Sequence, residues 1–214
     1  MKNIFLFSLL CAFSLCACFG PRVRGNGTIK TDTREMPAFE SIVCDGGYEV
    51  HITCQAQQSV SIQSDENILP FVKTEVSGDR LRIYTKGNLA PTQGIQITVS
   101  VPRLEEFTVN GSAEGDVQKI LSDSFTLAIN GSSRMNLSGS ADELKIHISG
   151  SAKINADSLA AKGVKAHIEG SGTIYCQAAN SIDARIDGSG KIKYHGEPKT
   201  VNQSINGSGS VEKE

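Results

Sequence analysis

The chain returns six times to one short phrase. It reads VNGSAE at 109–114, INGSSR at 129–134, ISGSAK at 148–153, IEGSGT at 168–173, IDGSGK at 186–191 and INGSGS at 205–210. The glycines of the phrase, Gly111, Gly131, Gly150, Gly170, Gly188 and Gly207, stand 20, 19, 20, 18 and 19 residues apart. A fixed period of this length limits what the chain can fold into. Each copy must form one structural unit that buries its apolar face only by stacking on the next. Most of the glycine and serine motifs are therefore architecture before they are chemistry.

Aligned on the glycine, the copies show the unit to be a strand. Two residues before it stand Val109, Ile129, Ile148, Ile168, Ile186 and Ile205, all apolar and β-branched. Two residues after it stand Ala113, Ser133, Ala152, Gly172, Gly190 and Gly209, all small. The residue just before it is polar: Asn110, Asn130, Ser149, Glu169, Asp187 and Asn206. Alternation with period two marks a strand with one buried face, and β-branched residues suit that setting. The six glycines are read as structural turn residues, since the backbone must bend once per repeat. Asn-Gly and Asp-Gly steps favour the same bend.

Short strands in a repeat of about 19 residues predict an all-β fold, a single-stranded right-handed parallel β-helix. It would be a pectin-lyase-like solenoid with coils of 18–20 residues, stacked at about 4.8 Å so that like residues stand over like. A left-handed coil would repeat an aliphatic residue every six positions, which this chain does not do, and parallel crossovers are overwhelmingly right-handed. A β-sandwich would not require identical phrases at fixed intervals. Gly25-Asn26-Gly27-Thr28-Ile29 is an earlier relative of the phrase, so the β-helix is expected over residues 24–211. Within it, residues 24–105 are read as irregular first coils and a cap, and 106–211 as regular repeat coils. Residues 212–214 form a charged tail. Strands are expected at Tyr48–Thr53, Val60–Gln63, Arg80–Tyr84 and Ile95–Val101, with turns at Asp45-Gly46-Gly47, Ser77-Gly78-Asp79 and Lys86-Gly87-Asn88.

Residues 1–18 read as a lipoprotein signal peptide. Lys2 precedes an apolar stretch, Ile4 to Leu15, too short to span a bilayer. Leu15-Cys16-Ala17-Cys18 has the form of a lipobox, with Cys18 as the lipidated residue, although Cys16 departs from the usual small residue at its position. Ordinary cleavage without a lipid is the alternative. Residues 19–23 would be a short tether. Losing Lys2 with the leader moves the formal charge from −2 to −3, so no basic surface for nucleic acid is expected. Cys44, Cys54 and Cys176 read as small core residues, and a disulfide among them is permitted by export but not indicated.

Chemistry is sparse. No Gly-Ser-Gly copy opens a helix, which excludes a phosphate loop. Six equivalent serines argue for a structural hydroxyl row rather than a nucleophile, which needs a base and an orienting group. Glu169 and Asp187 would be neighbours on adjacent coils, as paired carboxylates are on many solvated surfaces. His147 and His167 share a column on consecutive repeats, about 5 Å apart if the strands stack. With Glu169 and Asp187 they make one test site for a zinc-like ion. A plain pair of exposed histidines is the bland reading, so no metal and no cofactor are assigned.

The iterated Gly-Ser-Gly-x-Ile phrases are joined by Phe39-Glu40-Ser41-Ile42 leading into Gly47-Tyr48-Glu49-Val50-His51-Ile52. Val60-Ser61-Ile62 and Leu81-Arg82-Ile83 follow. On these residues the chain resembles the GIN-domain putative (auto-transporter-like) adhesins of Bacteroidetes, over roughly residues 24–211. The resemblance implies an exported, often lipidated protein with a right-handed β-helix, an adhesion role and no catalytic set. The expected function is thus a non-enzymatic binding or adhesion module anchored in the cell envelope. Polar ladders would meet a glycan or a surface protein. A lipid would hold the module to the outer membrane or cell surface, facing outward or into the periplasm. Two alternatives stay open: a carbohydrate-active enzyme (polysaccharide lyase or hydrolase) on the same scaffold, and an envelope scaffold that forms homo-oligomers through its end coils.

Overall fold

The structure is a computed structural model that describes residues 22–214. Apart from one turn of 3-10 helix at Leu69–Phe71, its regular structure is all strand. In chain order the strands are β1 (Arg22–Arg24), β2 (Ile29–Arg34), β3 (Ser41–Cys54), β4 (Ser59–Asp65), β5 (Val72–Ser77), β6 (Arg80–Thr85) and β7 (Asn88–Ala90). They continue as β8 (Gln96–Val101), β9 (Glu106–Gly170), β10 (Thr173–Gly188), β11 (Lys191–His195), β12 (Thr200–Gly207) and β13 (Ser210–Lys213). Among the described residues no helix is long and apolar enough to cross a membrane.

The β-helix expected over residues 24–211 does not hold. The strands form a mixed sheet of 11, with β1 and β7 in a separate parallel pair. Within the large sheet β2 runs antiparallel to β4, β4 antiparallel to β8, and β5 antiparallel to β6. A pectin-lyase-like solenoid of single parallel coils allows none of these pairings. The reversals have local causes. Ser77-Gly78-Asp79 closes the β5–β6 hairpin with Gly78 at φ +64°, a left-handed conformation that glycine adopts without strain. The phrase-like Gly25-Asn26-Gly27 opens no repeat either. It leads into β2, which lies along β4 with Ile29 beside Asp65 and Arg34 beside Val60.

Parallel pairing runs along the order β13-β11-β10-β9-β3-β8, with β6 also parallel to β3 and β12 parallel to β10. There the repeated phrases lie side by side. Ile186 pairs with Ile168, Ala184 with Ala166 and Gly188 with Gly170. Ile205 pairs with Ile186, and Ile192 with Ile174. β9 is 65 residues long, and fully extended it would reach about 200 Å. Instead it bends and runs back beside itself. The Asn130 side chain donates to Asn110 Oδ1 at 2.8 Å, Arg134 lies 3.3 Å from Glu114, and Thr126 N–H donates to the Glu105 carbonyl. Asp45-Gly46-Gly47, expected as a turn, lies inside β3, where Gly46 stands beside Gly111 as a further member of the glycine row.

The core is aliphatic and follows the alternation. Ile129, Ile148, Ile168 and Ile186 are fully buried, as are Ile154, Ile174 and Ile192. Cys44, Cys54 and Cys176 are free and buried within it. Burial pushes their thiols upward, Cys54 to about 11 and Cys176 to about 12. Asp65 is fully buried, the one such acid among the described residues. It accepts hydrogen bonds from Gly27 N–H at 2.7 Å, from Thr92 N–H at 2.7 Å and from the Thr92 hydroxyl at 2.8 Å. Burial alone would raise its pKa, but these donors outweigh burial and hold it below the ordinary value. Asp65 thereby fastens the segment before β2 to the loop after β7.

Candidate functional site

Where β3 lies against the start of β9, Gly47 pairs with Ser112, Tyr48 with Ala113 and Glu49 with Glu114. The loop Gln93-Gly94-Ile95, just ahead of β8, forms the opposite wall. Ser64 fixes that loop by donating its hydroxyl to the Gly94 carbonyl at 2.8 Å. Between the walls is an open groove of about 730 Å³. Its floor is apolar at Ala113 and at Tyr48, which is buried and donates its hydroxyl to the Asp45 carbonyl at 2.9 Å.

The groove is furnished by the repeat. Ser112, Ser132 and Ser151, each one residue after the bend glycine, bring hydroxyls from three successive passes of the chain. Ser112 and Ser151 are exposed at the groove, whereas Ser133 is engaged, its Oγ accepting the Ala113 N–H at 3.1 Å. Glu114, Arg134 and Lys153 come from one column of the same passes and add one acid and two bases. A row of amides continues outside: Asn110 donates to Asp45 Oδ1 at 2.6 Å and receives the bond from Asn130. The groove thus offers hydroxyls, amides and the Glu114–Arg134 ion pair over a shallow apolar floor.

Among the described residues no histidine hydrogen-bonds to a serine hydroxyl. The histidine hydrogen bonds among the described residues go to the carboxylates of Asp116, Glu49 and Asp187 and to the Glu214 carbonyl. Serine nucleophiles need such a base within reach.

The residues singled out from sequence are placed as follows. Cys18 lies outside the described residues. Gly111, Gly131, Gly150, Gly170, Gly188 and Gly207 form one row, each with a positive φ between +124° and +140°. The ring centroids of His147 and His167 are 5.0 Å apart in an edge-on arrangement. His167 Nε2 is 3.2 Å from Asp187 Oδ2 and 3.6 Å from Glu169 Oε1. Asp187 also accepts from Arg185 Nε at 2.8 Å. Arg185 and then His167 hold its carboxyl below the usual range. Among the described residues no group of three or more His, Cys, Asp or Glu side chains is arranged to hold a metal ion. The groove wall at residues 93–95 escaped sequence reading. Its one local signal is the turn-forming Gly94, with φ +83°, ahead of an alternating strand.

Comparison with known proteins follows the same fold. A family described as "Putative auto-transporter adhesin, head GIN domain" matches residues 38–198. No curated protein matches the chain. Among solved structures, a putative adhesin from Bacteroides fragilis NCTC 9343 superposes with a TM-score of 0.71 at 22% identity, covering 90% of this chain and 100% of that one. A putative lipid binding protein from Parabacteroides distasonis ATCC 8503 gives 0.56 at 24% identity, over 91% and 100%. A putative adhesin from Parabacteroides merdae ATCC 43184 gives 0.54 at 22%, over 91% and 100%. At these identities the likeness speaks for the fold alone.

Proposed function

Because the chain belongs to the putative auto-transporter adhesin, head GIN domain family, we propose that it is a non-enzymatic binding module of the cell envelope. Its ligand is an extended glycan or the surface of another protein, engaged along the groove between β3, β9 and the 93–95 loop. The observation that carries this reading is the in-register supply of Ser112, Ser132 and Ser151, flanked by Glu114, Arg134 and Lys153, with no histidine hydrogen-bonded to any of the serines among the described residues. Such a row offers repeated weak contacts and no activated nucleophile. Export and lipidation at Cys18 complete the proposal, since a tether would raise the local concentration of a weak binder at the membrane surface.

A screen of the purified protein against glycans and surface proteins tests it. Binding without turnover is expected, and Arg134→Ala combined with Lys153→Ala should weaken it at least several-fold while leaving the melting temperature in place. Release of a shortened polysaccharide would instead make the protein an enzyme and overturn the reading. For the tether, metabolic labelling with a fatty-acid analogue should mark the wild type and not Cys18→Ala.

A further inference from the structure

β12 lies at one end of the sheet. It pairs with β10 from Thr200 beside Ser181 to Gly207 beside Gly188, and among the described residues no strand pairs with its other edge. Every residue of β12 is exposed. Val201 and Ile205, 39% and 40% exposed, continue rows whose preceding members, Ile182 and Ile186, are fully buried. The end of the aliphatic core is thus open at this strand. Exposed edges are normally blunted by charge or proline, yet residues 200–207 contain neither. Beside the strand, Lys213 pairs with Glu197 and Lys193 with Glu214, both at 2.5 Å, while Lys199 stands just ahead of it. The opposite end of the sheet is the antiparallel strand β2, which carries Lys30, Asp32 and Arg34, Lys30 paired with Glu66 and Arg34 with Asp32. The two ends differ in that β12 itself carries no charge, so two copies of β12 meet without bringing charged strand residues together.

We propose that β12 is a dimerisation edge, at which two copies of this chain pair β12 with β12 in antiparallel register centred on Gln203. That register alone sets Val201 of one copy across from Ile205 of the other, twice about the dyad. It also sets Asn202 across from Ser204 and Thr200 across from Asn206. Directly opposed β-branched pairs stabilise an antiparallel ladder, and no like charges meet. A slip of one residue would place the apolar side chains on opposite faces. The contact is isologous, so it closes at two copies and does not propagate into a fibre. It does not involve the ligand groove and stands or falls separately from it.

The test is sedimentation velocity on the purified protein across a range of chain concentrations. The wild type should pass from monomer to dimer and no further. Gln203→Lys and Gln203→Glu each bring like charges together at the dyad, so each alone should remain monomeric. Their equimolar mixture should recover the dimer. A non-associating wild type, or variants that dimerise like it, would overturn the proposal. Amide exchange gives a readout without substitution. On concentrating the wild type, residues 200–207 should gain protection while 181–188 stay unchanged. Equal behaviour of the two segments would also count against it.

Discussion

The carbonyl oxygen of Gly111 fills the space that a Cβ on Gly131 would need. The same relation links Gly150 to Gly131 and Gly170 to Gly150, so the backbone of each pass is seated against the bend of the one before. Gly131 has φ +140°, a conformation closed to side-chain-bearing residues. Gly131→Ala should therefore cost at least about 2–3 kcal/mol, the overlap adding to backbone strain. Thermal and denaturant unfolding measure it. A substitution that leaves the melting midpoint unchanged would show that the glycine row is not under this constraint.

The paired isoleucines make a second test. Ile168 and Ile186 are register partners and both fully buried. Ile168→Asp places a carboxylate in an aliphatic row with no partner, and a loss of roughly 4 kcal/mol or more is expected, enough to unfold a marginal protein. Ser171 supplies the contrast. Its exposed side chain has no hydrogen-bond role in the bend, where only its N–H donates to the Gly150 carbonyl. Ser171→Ala should shift stability by less than about 0.5 kcal/mol. Equal effects of the two substitutions would reverse the assignment of inner and outer faces.

These two positions also show how far the sequence could be read. Ile168 and Ile186 were identifiable as inward-facing because alternation and repetition agree there, residue by residue. The same logic does not extend to Gly25, where one glycine phrase without its alternating neighbours leads into antiparallel β2. What distinguishes β2, β4, β5 and β8 is pairing direction. Direction is set by hairpin turns and distant partners, and alternation is identical in parallel and antiparallel strands. Asp45-Gly46-Gly47 carries a turn signal, yet tertiary pairing with Gly111 keeps Gly46 within a strand. The groove was half legible. Its serines follow from the repeat, but its wall at Gln93-Gly94-Ile95 comes from a non-repeating loop placed by the Ser64 hydrogen bond.

The three core thiols should be chemically silent. Cys44, Cys54 and Cys176 are free and buried, and burial keeps them as neutral thiols, whereas the thiolate is the reactive species. A thiol reagent should label none of them in the native protein and all three after denaturation. Because none is bridged, reducing agent should leave the melting temperature unchanged. A drop in stability under reduction would reveal a disulfide and refute the free state.

His51 makes the stability depend on pH. Its Nδ1 lies 2.6 Å from Asp116 Oδ1 and its Nε2 lies 3.2 Å from Glu49 Oε1. Asp116 in turn accepts from the Gln118 side chain at 2.7 Å. The Asp116 bond, with a smaller contribution from Glu49, outweighs desolvation and raises the imidazole above its usual 6.5. A pKa raised by folding means that the folded state binds the proton more tightly than the unfolded chain. The stabilisation is complete below the unfolded value and disappears as pH climbs through the raised one. His51→Gln keeps a polar side chain but cannot carry the charge. The melting temperature of the wild type should exceed that of His51→Gln by most at about pH 5–6, and the gap should narrow by about pH 8–9. A gap that stays constant over that range would mean that the protonated imidazole contributes nothing to the pairing of β3 with β9.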